Sequence, residues 1–253
     1  MIGRMCRFLI NNSVSYGLLE DKDKVIVIEG NIFEKYKITG KKIDLKEVSL
    51  LPPCNATKII GAGTNYRSVS NNGKDSLKNP IIFLKPPASL IGAGKNIIYP
   101  EISKKVAAEV ELAVVIGKVA KKVSMDTAKD YIFGYTIAVD LTAADFINGN
   151  SIWNISKMFD TFTPLGPYIS NGDIDPLNLN LKLKLNEVTV QDGNTKDMIF
   201  NVYELISYTS SVMTLMPGDV ILTGTPAAAI EVKRGDTLEA NIEGLGSLIN
   251  FVK

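Results

Sequence analysis

The chain contains no histidine. That absence excludes Ser-His-Asp and Cys-His catalysis and removes imidazole as a general base. Only two cysteines, Cys6 and Cys54, occur in 253 residues. They are too few and too far apart for a disulfide framework or a cysteine-rich zinc site. Neither sign of charge is in excess: 28 basic residues face 27 acidic ones, for a net charge of +1. No electrostatic footprint for nucleic acid or an anionic membrane surface follows from that balance. No apolar run approaches the roughly 20 residues of a membrane span. The opening segment, Met1 to Ile10, lacks the apolar core and small-residue cleavage site of a secretory signal, so a cytoplasmic protein is expected. Acid–base work is left to carboxylates, lysine, tyrosine or metal-bound water. Any metal would be held by oxygen, which points to Mg2+, Mn2+ or Ca2+.

What the chain does have is Glu109-Val110-Glu111, inside the apolar run Ala108 to Gly117. Val110, Leu112, Val114, Val115 and Ile116 make this segment a strand. Side chains two apart on a strand share a face, so Glu109 and Glu111 project together while Val110 and Leu112 enter the core. Two like charges on one face repel and are costly to bury, and a hard divalent cation between them would relieve both costs. The plainer alternative is an edge strand with both glutamates in water.

At 45% apolar and 22% charged residues, the composition is that of an ordinary globular protein. The length suits one large domain, or a large one with a small one. Residues 1–50 read as a small β-rich unit, with short strands at Cys6–Ile10, Ser15–Leu19 and Lys24–Ile28. Leu51-Pro-Pro-Cys54 breaks regular structure and marks a boundary. Beyond it, strands are expected at 58–63, 81–85, 134–140, 179–185, 188–191 and 220–224. A helix opening at Ser124 and a second helix over 202–216, capped by Asn201 with Glu204, complete the pattern. The polar stretch 68–79 reads as a loop or short lid. Strands and helices do not alternate, which argues against a βαβ fold.

Several separated motifs resemble one family: Gly63-Thr-Asn-Tyr-Arg67, Pro80-Ile-Ile-Phe-Leu-Lys85, the Glu109-Val-Glu strand, Gly134-Tyr-Thr-Ile-Ala-Val-Asp140, Trp153-Asn-Ile-Ser-Lys157, Leu215-Met-Pro-Gly-Asp-Val220, Thr223-Gly-Thr-Pro226 and Glu243-Gly-Leu-Gly246. In joint order and spacing over about 55–253, the chain resembles the fumarylacetoacetate hydrolase family, and in particular its 2-hydroxyhepta-2,4-diene-1,7-dioate isomerase-like members. The resemblance implies an α+β fold, a β-rich mixed-sheet roll of the fumarylacetoacetate hydrolase C-terminal type with a small β-rich N-terminal domain. It implies Mg2+, or Mn2+ with Ca2+ also possible, held by Glu109, Glu111 and Asp140. It also implies a homodimer acting on a small keto or enol acid.

By the same resemblance Lys157 is an active-site lysine that orients a carboxylate, stabilises negative charge or, with a lowered pKa, acts as a base. Without the resemblance it reads as a surface lysine. Thr225 and Gly224 are implied as substrate-binding, where the residues alone equally allow a plain turn after a strand. Arg67 is either a substrate clamp or part of a structural ion pair. Tyr66 is a further candidate proton carrier.

The chain also departs from the family. Hydrolase members carry a histidine shortly after Asn-Tyr; here Val69 stands at that position. The arginine and glutamine that follow the metal aspartate are replaced by Ala144 and Ile147, and a later glycine by Ala228. These changes keep the metal platform while altering water activation and carboxylate binding. The expectation is therefore a divalent-metal-dependent enzyme acting through a metal-stabilised enolate, isomerase or decarboxylase ahead of C–C hydrolase. The alternative is a non-catalytic family member that binds metal or a keto acid without turnover.

Overall fold

The computed structural model describes residues 3–20, 23–68, 77–147 and 154–253. Val69 and most of the expected 68–79 lid, together with Trp153, fall outside those residues.

The segment Val106–Ile116 is a strand at the centre of the larger sheet, not at its edge. Ile132–Ala143 runs antiparallel along one side of it, and Val220–Leu222 and Ile230–Val232 cover the other. Val110, Leu112 and Val114 are fully buried on one face, as their β-branched and apolar side chains require. The edge-strand alternative for Glu109 and Glu111 is thereby excluded.

The N-terminal strands continue this same sheet. Arg4–Ile10, Ser13–Leu19, Lys24–Gly30 and Tyr36–Asp44 form an antiparallel meander. The first of them pairs with Thr163–Ser170, placing Arg4 opposite Ser170 and Met5 opposite Ile169. A second sheet, ordered Val188–Asn194, Asn180–Leu185, Thr237–Ile242, Gly246–Val252 and Asn96–Ile97, packs its leucines against the first. The result is the β-rich mixed-sheet fold expected from the sequence, with a single α-helix among the described residues.

That helix spans Val202–Val212. Asn201 accepts from the amides of Tyr203 and Glu204, and Glu204 accepts from the amide of Asn201, so the capping box forms as anticipated. The helix is shorter than the apolar spacing to residue 216 implied. Met213 turns extended at φ −143°, and Leu215 pairs with Ala120 instead. The segment opening at Ser124 is a 3-10 turn over Met125–Tyr131; the Ser124 hydroxyl meets that of Thr127 at 2.9 Å rather than capping the backbone. The sheet pairing of Tyr36–Asp44 was not anticipated.

Candidate active site

The antiparallel register places Glu109 directly opposite Asp140, with Glu111 one step further along the same face. Like charges opposite one another on adjacent strands are destabilising unless something neutralises them. Two lysines do so. The Lys157 ammonium lies 3.1 Å from Glu109 Oε2 and also bonds Asp140. From behind, Lys85, 1% exposed, bonds the other oxygen of Asp140 and donates to the carbonyl of Leu141 at 3.2 Å.

The packing that positions these lysines can be traced to the sequence. Gly61 has no side chain, so the Phe83 ring packs directly against it; a Cβ there would stand 2.1 Å from that ring. Phe83 and Lys85 then share the inward parity of Ile81–Lys85. The Lys157 ammonium sits 4.9 Å from the centre of the Phe83 ring, a cation–π contact.

Glu111 accepts a hydrogen bond from the amide of Gly224. Gly224 has φ +90°, a conformation glycine adopts readily. Its turn is braced by Asn65, whose amide nitrogen donates to the carbonyls of Thr223 at 2.8 Å and Phe200 at 2.9 Å. Because the Gly224 N–H is committed to Glu111, it is not free to hold a substrate carboxylate. The neighbouring Thr225 is buried, with its hydroxyl 3.4 Å from Gln191 Oε1.

Burial shifts these groups in different directions. Glu111 is pushed well above the usual carboxylate range, first by burial and then by the charges of Asp140 and Glu109. Burial also raises Glu109, with Lys157 opposing it. In Asp140 burial would raise the pKa, but Lys157 and Lys85 outweigh it and hold the carboxyl below its usual range. Burial alone would lower Lys157; Asp140 and Glu109 overcome it and keep the ammonium protonated. In this arrangement Asp140 and Glu109 favour the ammonium form of Lys157 over its expected alternative role as a base. Burial lowers Lys85, partly offset by Asp140.

These side chains line a cavity of about 280 Å3, at the small end of sites for small ligands. Glu109, Glu111, Asp140, Lys157, Gly224 and Thr225, all anticipated from the sequence, meet there. Tyr66 and Arg67 are not among its lining residues. The Tyr66 ring is fully buried and its hydroxyl has no partner; burial and then the charge of Glu111 raise its pKa. Arg67 is exposed and donates to the carbonyl of Lys196 at 3.3 Å.

Two contributors had not been assigned a role from sequence. Lys85 ends an apolar run, and a lysine on the inward parity of a strand is the signal that marks it. Gln191 accepts from the Val110 amide at 2.9 Å and donates to the carbonyls of Ala227 and Ala228. It ties the glutamate strand to the loop after Thr225, and nothing in its local sequence announces this.

Among the described residues no three acidic side chains converge closely enough to hold an ion as they stand, and the Lys157 ammonium bonds both Glu109 and Asp140. The donor chemistry nonetheless suits a hard cation: three carboxylates on one face, with Glu111 destabilised as an anion by burial and by its neighbours.

A β-rich roll whose larger sheet floors a small acidic cavity bridged by Lys157 is the frame of an enzyme. The chain belongs to the fumarylacetoacetate hydrolase family: residues 58–253 match the fumarylacetoacetate (FAA) hydrolase C-terminal model, and residues 4–53 match the Rv2993c-like N-terminal model. It is 45% identical over 198 residues to the Arabidopsis thaliana protein oxaloacetate tautomerase FAHD2, mitochondrial, covering 76% of this chain and 88% of that one. The crystal structure of 2-hydroxyhepta-2,4-diene-1,7-dioate isomerase from Mycobacterium marinum superposes with a TM-score of 0.91 at 36% identity, over 99% of this chain and 98% of that chain. Maleylpyruvate hydrolase from Sphingobium sp. SYK-6, in complex with manganese(II) ion and pyruvate, gives a TM-score of 0.81 at 28% identity, over 98% of each chain. Among the described residues no helix is long and apolar enough to cross a membrane.

Proposed function

We propose that this chain is a divalent-metal-dependent enzyme that acts on a small 2-oxo or enol carboxylic acid by stabilising its enolate. Isomerisation or decarboxylation stands ahead of C–C hydrolysis, since the chain has no histidine to activate water. The observation that carries this reading is the cross-strand pair of Glu109 and Asp140 with Glu111 beside it, on the floor of a small cavity. Glu109, Glu111 and Asp140 would hold Mg2+ or Mn2+. A cation bound there would supply a Lewis acid for the 2-oxo group.

The remaining work falls to the chain's own groups. As an ammonium, Lys157 would meet the substrate carboxylate and balance negative charge that develops on the keto oxygen. The Thr225 hydroxyl, whose long 3.4 Å bond to Gln191 Oε1 is weak, would turn its proton to the same carboxylate. Gly224 acts indirectly, by fixing Glu111. By family membership we also propose a homodimer, which sedimentation velocity tests.

The experiment is hydrogen–deuterium exchange at C3 of oxaloacetate and of an acylpyruvate, followed by NMR in D2O. Exchange above the protein-free rate that requires Mg2+ or Mn2+ and stops with a chelator supports the proposal. A second reading, binding without turnover, is favoured by one observation: among the described lining residues the ionisable groups are the three carboxylates and a protonated lysine. Chelator-reversible metal binding with no exchange on either compound would select that reading.

A further inference from the structure

The cavity floor changes character along the strand ladder. Next to the Glu109–Asp140 pair, the register places Ala107 opposite Thr142. Two residues along a strand span about 6.6 Å, so within that distance the floor passes from acidic to uncharged. Ala144, Ile147 and Ala229 complete this end of the cavity. Ile147 is 39% exposed, an apolar side chain left facing solvent.

No counter-charge serves this end among the described residues. Lys157 is the cationic side chain among the described lining residues, and it is engaged with Glu109 and Asp140 at the acidic end. Lys105 has the parity of Ala107, but it does not line the cavity; its ammonium is exposed, 3.9 Å from Glu231. The polar atom on the floor here is Thr142 Oγ1, which is buried without a hydrogen-bond partner. A hydroxyl can pair with a neutral carbonyl or hydroxyl of a ligand, but it does not neutralise a carboxylate.

Resting on the 2-oxo acid reading above, we infer that Ala107, Thr142, Ala144, Ile147 and Ala229 form a specificity subsite for the uncharged far end of the substrate. A second carboxylate placed there would be desolvated with no cation among the described residues to meet it. The preferred substrate is then a 2-oxo acid with a neutral tail, whereas oxaloacetate carries a carboxylate at both ends. Ala144 opens the turn two residues beyond Thr142.

Two compounds of nearly the same shape test this. Oxaloacetate and 2,4-dioxopentanoate differ by a carboxylate oxygen in place of a methyl group. Each is titrated calorimetrically into the wild-type protein supplied with Mn2+. The expected result is binding of 2,4-dioxopentanoate at least roughly tenfold tighter than oxaloacetate, with the preference reversed in Ala144→Arg. Ile147→Lys is the second variant should the first fail to fold, with the same reversal expected.

Oxaloacetate binding as tightly as 2,4-dioxopentanoate in the wild type overturns the subsite while leaving the 2-oxo acid reading intact. An unchanged ratio in the folded variants overturns it as well. If neither compound binds, the subsite and the 2-oxo acid reading fall together.

Discussion

Lys85→Met puts the electrostatics of the site to a quantitative test. Methionine keeps the length and apolar stem of the side chain but removes the ammonium that bonds Asp140. Both partners are fully buried, so the substitution leaves a desolvated carboxylate with one counter-charge instead of two. Breaking a buried ion pair from one side costs about 3–5 kcal/mol. Because Asp140 retains Lys157, the low end, about 3 kcal/mol, is expected. In a protein of this size that lowers the melting temperature by roughly 6–12 °C.

The assay is thermal unfolding in the presence of a chelator, with Asp140→Asn as the second background. In that background Lys85 becomes the unpaired buried charge, so Lys85→Met is expected to be neutral or stabilising. A single variant melting within about 2 °C of wild type would refute the reasoning. An equal loss in both backgrounds would refute it too, since the cost would then be one of packing rather than charge.

Three further outcomes follow from the same geometry. Asn65→Ala removes the amide that ties the Thr223 carbonyl of the Thr223–Gly224 turn to that of Phe200 and is expected to cost about 2–3 kcal/mol in urea unfolding; a loss below about 0.5 kcal/mol would contradict the bracing role. Gly224→Ala forces a Cβ to within 3.0 Å of the Ala62 carbonyl at φ +90°. An expected loss of about 1–3 kcal/mol should come with weaker Mn2+ binding, because Glu111 loses its anchor; unchanged Mn2+ affinity would sever that link. Burial pushes the thiols of Cys6 and Cys54 up to about 12 from 9.0. Their folded pKa values are raised, so their contribution is complete below pH 9 and is lost as pH rises toward 12. With both thiols protonated only in the folded state, stability should fall by up to about 2.7 kcal/mol per pH unit in that window. A flat urea midpoint between pH 9 and 11 would contradict their burial.

Which parts of this molecule are legible in its sequence depends on how local the cause is. Glu109 and Glu111 are readable because strand alternation is a two-residue rule, and Val110 and Leu112 state which face is inward. The Asn201–Glu204 capping box is readable for the same reason, as all its partners lie within four residues. The helix end is not: Met213 and Met216 keep helical spacing, and only the distant Ala120 draws Leu215 between them into a β-bridge.

Long-range pairings are similarly silent. Leu51-Pro-Pro-Cys54 marks a break in the chain, yet nothing nearby states that Arg4 and Met5 will extend the same sheet through Ile169 and Ser170. Asp140 and Lys157 are attributable to the site through the family pattern, whereas their meeting with Glu109 is a consequence of register and packing. Lys85 hides in Ile81–Lys85, where Ile81 and Leu84 are about 40% exposed while Phe83 and Lys85 turn inward. An almost wholly apolar strand gives no alternation from which to read its inner face.

The central claim is that Glu109, Glu111 and Asp140 hold a divalent cation. It is tested most directly by titrating Mn2+ into the purified protein and reading free Mn2+ by electron paramagnetic resonance, for wild type and for Glu111→Gln. The account predicts one site per chain in the wild type and a loss of at least roughly tenfold in affinity in the variant. A wild-type protein that binds no Mn2+, or a Glu111→Gln protein that binds it equally well, would contradict the account.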